Sequence, residues 1–367
     1  MSVSEKIKYK KLFIPGPVEV DKPILEEMGH FMIGHRSPEF SVLAEDTVEK
    51  LRKLLFTDGR VFLSTSSSSG IWEASARNCV EKRALSAVMG AFSDKWSKTV
   101  KLCGKENERI EVEMGKAVKA DAIRAKLEEG NFDALTVVHN ETSTGVMSKL
   151  EKIAKVMKDF PDVMFLVDAV SSMSAVKLEI DKLGIDCCFA GVQKAFGLPP
   201  GLTVFTVSDK AMEKAKKMEN KGYYFNFEVF EKYWSEKKQT PTTPSISHIF
   251  ALNRQLDRFF EEGLEKRFAR HREMADYIRN WAVGQGFELF AEEGYRSDTV
   301  TTIVNNKGLS IAGINKELAE KELMISNGYG PMKEKNFRIA HMGDLKMEDM
   351  RQITAALEEI MAKGESE

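Results

Sequence analysis

Three short segments carry residue types at spacings that chemistry can use. The first is Ser64–Gly70 (STSSSSG), placed between an apolar run at Arg60–Ser64 and a helical stretch expected to begin near Ile71. A junction of strand, small-residue loop and helix leaves backbone N–H groups free at the positive end of a helix dipole, which favours a bound phosphate. A serine-rich helix cap fits the same residues. The segment is neither G-x-x-x-x-G-K-[ST] nor G-x-G-x-x-G. The second is Asp168, which follows the apolar run Val163–Val167. An acid there lies at the carboxyl end of a strand, where open α/β sheets bind ligands. It needs a partner, because an unpaired buried carboxylate is costly; a cap for the next turn, with Ser171 and Ser172, is the structural alternative. The third is Lys194, inside Gly191–Gly201 (GVQKAFGLPPG). Most lysines are solvated, but one enclosed by small and apolar residues has a lowered pKa, as an amine that bonds an aldehyde requires. Pyridoxal 5′-phosphate needs a phosphate site, an acid for its pyridine nitrogen and a lysine for its aldehyde, and these three segments supply one of each.

These groups have to be positioned by elements that the hydrophobic period makes visible. Arg60–Ser64, Ala84–Met89, Ala134–His139, Val163–Val167, Cys187–Ala190 and Leu202–Val207 are expected to be strands, several of them almost continuously apolar, as strands covered on both faces are. Between them, Ser41–Leu55 places Ala44, Val48, Leu51 and Leu55 on one face of a helix. The alternation implies an α/β fold with a mostly parallel sheet, helices on both sides and right-handed crossovers. From about residue 245 the pattern changes to helices at Ser247–Glu262 and Glu265–Val283, a strand at Thr299–Val304, a helix at Ile311–Lys321, a strand at Phe337–Met342 and a final helix. In that last helix Met350, Ile353, Leu357 and Ile360 share a face. The expected division is a large domain over 15–245 and a smaller α+β domain over 246–367, with segment 1–14 packing near the latter. The two prolines of Gln239–Ser247 (QTPTTPSIS) mark the boundary.

Composition excludes several other classes. The chain has 367 residues, with 54 Lys and Arg against 56 Asp and Glu, a net charge of −2. Neither sign dominates for long, so a nucleic-acid arm or a polybasic membrane patch is not expected. Hydrophobic residues at 43% are ample for a core, which argues against disorder. The four cysteines, Cys79, Cys103, Cys187 and Cys188, form no C-x-x-C pair. That argues against a disulfide scaffold or a bound metal and for a reducing compartment. The basic N-terminus lacks the apolar core of a signal peptide, and no apolar run approaches the roughly 18 residues of a spanning helix. A cytoplasmic location is the expectation.

Five further motifs carry a family resemblance: GHRSPEF at Gly34–Phe40, GAFSDKW at Gly90–Trp96, HNETSTG at His139–Gly145, DAVSS at Asp168–Ser172 and GVQK at Gly191–Lys194. From Phe13 to Gly343 the chain resembles the class V, fold-type I pyridoxal-phosphate aminotransferases, most of all the alanine–glyoxylate, serine–pyruvate and serine–glyoxylate group. The resemblance implies that Lys194 bonds the cofactor and moves the substrate proton, while Asp168 keeps the pyridine nitrogen protonated. It implies that Phe92 stacks on one ring face and Val170 covers the other. Thr142 would lie by the ring hydroxyl, and Ser67, Ser68, Ser69 and Gln193 around the phosphate. Gln239 and Thr242 would reach the phosphate of a neighbouring subunit, making the active form a homodimer. Arg338 would hold the substrate α-carboxylate in a bidentate fork. His35, Arg36 and Gly16 would border the substrate, and His341 would lie near Arg338. Three positions depart from the family pattern: Ile14-Pro15-Gly16-Pro17 replaces Gly-Pro-Gly-Pro, and Ser68 and Ser93 each replace a glycine.

The implied reaction is ping-pong transamination from alanine or serine to glyoxylate or pyruvate. A cationic cluster of His35, Arg36 and His341 would instead suit phosphoserine with 2-oxoglutarate, which is the alternative. A cysteine desulfurase fits poorly, since no cysteine follows Cys188 and Gln193 rather than histidine precedes Lys194. A non-catalytic relic fits poorly too, because Lys194, Asp168 and Arg338 are all present.

Overall fold

A computed structural model describes residues 6–364 of the chain. Seven strands form one sheet in the spatial order Arg60–Ser64, Thr203–Val207, Cys187–Gly191, Met164–Asp168, Ala134–Val138, Arg83–Val88 and Glu106–Glu111. Thr203–Val207 runs antiparallel to both its neighbours, and the remaining adjacent pairs are parallel. The strands Ala134–Val138, Met164–Asp168, Cys187–Gly191 and Thr203–Val207 are buried along their whole length. Each large apolar side chain enclosed in this way contributes about 1.5–3 kcal/mol. This accounts for their unbroken apolar runs.

Six of the seven strands fall on the apolar runs, shifted by at most a residue or two at either end. The seventh, Glu106–Glu111 (ENERIE), has no such run. It is an edge strand paired only with Arg83–Val88, and its Glu108 forms ion pairs with Arg83 and Lys126. Charge on an edge discourages pairing with a foreign strand, and that same charge conceals the strand from a hydrophobic reading.

The second sheet has five strands, ordered Lys11–Phe13, Leu323–Asn327, Asn336–Ala340, Val300–Val304 and Glu288–Leu289. Lys11–Phe13 pairs in parallel with Leu323–Ile325, so the described part of segment 1–14 adds an edge to this sheet. Helices Leu264–Gly284 and Met347–Gly364 pack on it, with Met274, Ile278, Ile303, Ile339, Met350, Ile353 and Leu357 in one core. The helix Ile246–Glu262, by contrast, buries Ile249, Leu252, Leu256 and Phe259 in the larger core, together with Phe40, Val48 and Leu51 of the helix Pro38–Leu55.

A polar network lies where the two cores meet. Fully buried Arg267 donates to the carbonyls of Ser174 (2.9 Å) and Ala195 (2.8 Å), with Asp344 Oδ1 at 3.4 Å. Gln255 donates to the Phe196 carbonyl and to Asp344 Oδ2, both at 2.8 Å. The turn that follows Lys194 is therefore fixed from outside the large sheet. No helix among the described residues is long and apolar enough to cross a membrane.

Candidate active site

A cavity of about 110 Å³ opens at the carboxyl end of the large sheet. Lys194 and Asp168 both line it, as do Ser67, Ser68 and Ser69 of the serine loop. The serines occupy the start of helix Ser68–Cys79, with Ser67 at the cap in extended conformation and no side-chain capping bond. The Ser68 hydroxyl is buried and has no hydrogen-bond partner. A buried, unpartnered donor at a positive helix end suits a phosphate. Across the loop, a Cβ on Gly191 would meet the Gln193 amide at 2.4 Å and the Ser68 hydroxyl at 2.7 Å. Glycine there lets Gln193 and Ser68 converge.

Asp168 ends its strand with both oxygens engaged. Oδ1 accepts the Val170 N–H at 2.9 Å and Oδ2 accepts the indole N–H of Trp72 at 2.7 Å. Burial pushes its carboxyl up to about 6, against the lowering effect of these two donors. Lys194 donates to the Pro15 carbonyl, and its Nζ lies 5.8 Å from the centre of the Phe92 ring. Burial, and then the neighbouring Arg338, bring its ammonium down to about 8. Gly16 has φ +130°, and a Cβ there would come within 2.7 Å of Lys194 Cδ. The Ile14–Pro17 segment thus keeps the one glycine the lysine needs.

Phe92, Val170, Thr142 and Gln193 also line the cavity. The Thr142 hydroxyl is 2.6 Å from that of Ser171. Phe92 is held by the start of helix Ala91–Leu102, where fully buried Glu141 accepts from the backbone N–H groups of Phe92 (3.2 Å) and Ser93 (2.9 Å). Ser93 Oγ adds a bond to Glu141 at 2.9 Å, and Ser143 Oγ another at 2.6 Å. Serine in place of glycine at position 93 therefore builds a helix cap. Arg338, in strand Asn336–Ala340, donates to the Thr142 and Asn327 carbonyls and to Ser326 Oγ. Arg338 does not itself line the cavity; it lies behind Thr142, which does.

The remaining expected site residues lie elsewhere in the chain. Arg36 donates to the carbonyls of Thr240 (2.6 Å) and Pro241 (3.1 Å), packs over Tyr233 and reaches Gln239 Oε1 at 3.4 Å. His35 is 3.5 Å from Thr243 Oγ1. The GHRSPEF and QTPTT segments thus meet one another, and His35, Arg36, Gln239 and Thr242 do not line the Lys194 cavity of their own chain. His341 is fully buried with Nε2 2.9 Å from Thr301 Oγ1. Burial lowers its pKa to about 3, so it is neutral and adds no cation beside Arg338.

The three demands of pyridoxal phosphate fall on groups of one cavity, with the Ser68 hydroxyl still unpaired, so the residues present fit that cofactor. A family model described as aminotransferase class-V matches residues 26–334. The chain belongs to the class-V aminotransferase family. It is 39% identical over 339 residues to an uncharacterized aminotransferase of Methanocaldococcus jannaschii, covering 91% of this chain and 88% of that one. It is 32% identical to the serine–glyoxylate aminotransferase of Methylorubrum extorquens, over 91% and 86% of the two chains. The crystal structure of alanine–glyoxylate aminotransferase from Nostoc sp. superposes with a TM-score of 0.92 at 27% identity, covering 97% and 96%. The architecture is that of the fold-type I aminotransferases, and this class-V member is a transferase of amino groups between amino and oxo acids.

Two residues that the structure places at or beside the cavity, Trp72 and Glu141, escape a reading of the sequence alone. Trp72 lies four residues after Ser68 on the same helix face, a spacing that points an aromatic residue at whatever the serines face. Glu141 sits just past an apolar strand, the same placement that singles out Asp168.

Proposed function

We propose that this aminotransferase passes the amino group of alanine or serine to glyoxylate or pyruvate, with pyridoxal 5′-phosphate held at Lys194. The observation that carries the reading is the convergence of Lys194, Asp168 and the unpartnered Ser68 hydroxyl on one cavity. When bound, the cofactor supplies an electron sink for charge developing at the substrate Cα. Lys194 Nζ would anchor the cofactor and, when free, would take the proton from the substrate Cα and give it back in the course of the transfer. Asp168 keeps a proton on the ring nitrogen. Phe92 and Val170 would hold the ring between them and exclude water, and Thr142 would serve its hydroxyl; all three line the cavity. Ser67, Ser68, Ser69 and Gln193 bind the phosphate. Arg338 would grip the α-carboxylate, and Gly16, which leaves room for the Lys194 side chain, would border the substrate.

Gln239 and Thr242 serve the site of a second copy, so the active species is a homodimer, in the cytoplasm. The absence of these two residues from their own chain's cavity supports that arrangement. The reading also carries a division into 15–245 and 246–367, with 1–14 on the latter; the pairing of Lys11–Phe13 with Leu323–Ile325 supports the last of these, whereas helix Ile246–Glu262 packs in the larger core and favours a boundary after it. Phosphoserine is the second substrate reading. It is disfavoured because His341 is buried and neutral and adds no cation beside Arg338.

The test is the visible spectrum of the purified protein as amino acids are added singly. Alanine or serine should bleach the cofactor band and glyoxylate should restore it. Bleaching by phosphoserine alone would replace the donor, and no band after adding pyridoxal phosphate would overturn the reading.

A further inference from the structure

We propose that Trp72 is a positioning residue for the pyridine nitrogen: its indole N–H fixes the Asp168 carboxylate in the orientation and charge state that hold the ring proton. The inference rests on the reading that pyridoxal phosphate binds at Lys194.

Trp72 and Ser68 share one face of helix Ser68–Cys79, and both are buried against the cavity. Its first turn presents the serines to the phosphate, and the next turn presents the indole to Asp168. A single rigid element thereby sets the separation between the phosphate anchor and the nitrogen anchor. The Val170 N–H on Oδ1 comes from the backbone two residues on, a donor open to any residue at this strand end. The indole is the only side-chain donor to Asp168 among the described residues, at 2.7 Å to Oδ2. Lys194 is the cation that favours the ionised form, while enclosure and the nearby Glu141 oppose it. Two N–H donors hold the carboxylate as an acceptor, so the proton between Asp168 and the ring nitrogen stays on the ring. Without the indole, that proton moves towards Asp168 and the grip on the ring weakens.

The experiment titrates full-length protein, freed of cofactor, with pyridoxal phosphate and with its 1-deaza analogue, whose ring carries C–H in place of the nitrogen. Wild type is compared with Trp72→Phe and with a variant carrying benzothienylalanine at position 72, which keeps the indole shape and replaces N–H by sulfur. Both variants should bind pyridoxal phosphate roughly tenfold or more weakly, the usual effect of losing a hydrogen bond to a charged group. Their affinity for the deaza analogue should stay within about twofold of wild type on the same reasoning. Equal losses for both ligands mean that Trp72 only packs, and no loss for either means that Asp168 holds itself; each overturns the inference and leaves the cofactor reading standing. Failure of wild type to bind pyridoxal phosphate removes the cofactor reading, and the inference with it.

Discussion

Enclosure and the Arg338 guanidinium bring Lys194 down to about 8, so roughly a tenth of its amine is unprotonated at pH 7. Only the free amine has the lone pair that attacks an aldehyde. The condensation rate of cofactor-free protein with pyridoxal phosphate should rise as pH passes through about 8 and then level off, whereas an ordinary lysine near 10.4 would still be climbing. Stopped-flow absorbance measures this, with Lys194→Ala as the silent control, and a rate still rising beyond pH 10 contradicts it. Lys194, Asp168 and the serine loop were legible in sequence because each stands out against its neighbours: a cation among small residues, an acid after an apolar strand, a run of hydroxyls. Trp72 and Glu141 do not stand out in this way. A tryptophan in an amphipathic helix looks like core, and a glutamate after a strand looks like a turn, until the partner across the cavity is known.

At the scale of elements, the start of helix Ala91–Leu102 depends on a carboxylate from another part of the chain. Glu141 satisfies donors that a surface helix would give to water, and it does so while fully buried. Glu141→Gln keeps the shape, halves the accepting capacity and removes the charge facing the helix dipole. The expected cost is about 1–3 kcal/mol, read as a lower urea midpoint, with weaker cofactor binding because Phe92 loses its anchor. An unchanged midpoint would show that Ser93 and Ser143 cap the helix without it. The six buried strands were legible because covered strands must be apolar throughout. Glu106–Glu111 was hidden by its own edge charges. Leu323–Asn327 was hidden by its short apolar run, only Leu323, Met324 and Ile325, in which the exposed Met324 masks the alternation of the buried Leu323 and Ile325. The helix Ile246–Glu262 was legible as a helix, but its apolar stripe does not say which core will receive it.

For the whole molecule, the catalytic turn is held by residues far along the chain. Arg267 and Gln255 bond the carbonyls of Ala195 and Phe196, and Asp344 braces both. Arg267→Met removes a buried charge from two carbonyls and from Asp344, which keeps Arg258 at 2.9 Å. A loss of about 3 kcal/mol is expected, at the low end for a broken buried pair, together with faster cofactor release. Thermal unfolding and a release assay measure the two, and loss of stability without faster release would separate the network from the lysine turn. The pairing of Lys11–Phe13 with Leu323–Ile325 has a temporal meaning as well. At about 5–20 residues per second, a ribosome needs roughly 15–60 s after making the first strand to make its partner. Through that interval the segment that lays Pro15 and Gly16 over Lys194 lacks this strand partner, while the large sheet and its lysine are already synthesised. In a newborn chain that segment has only the large sheet to lean on, through the Val18 N–H on the Gln193 carbonyl, and synthesis of Leu323–Asn327 supplies its second anchor.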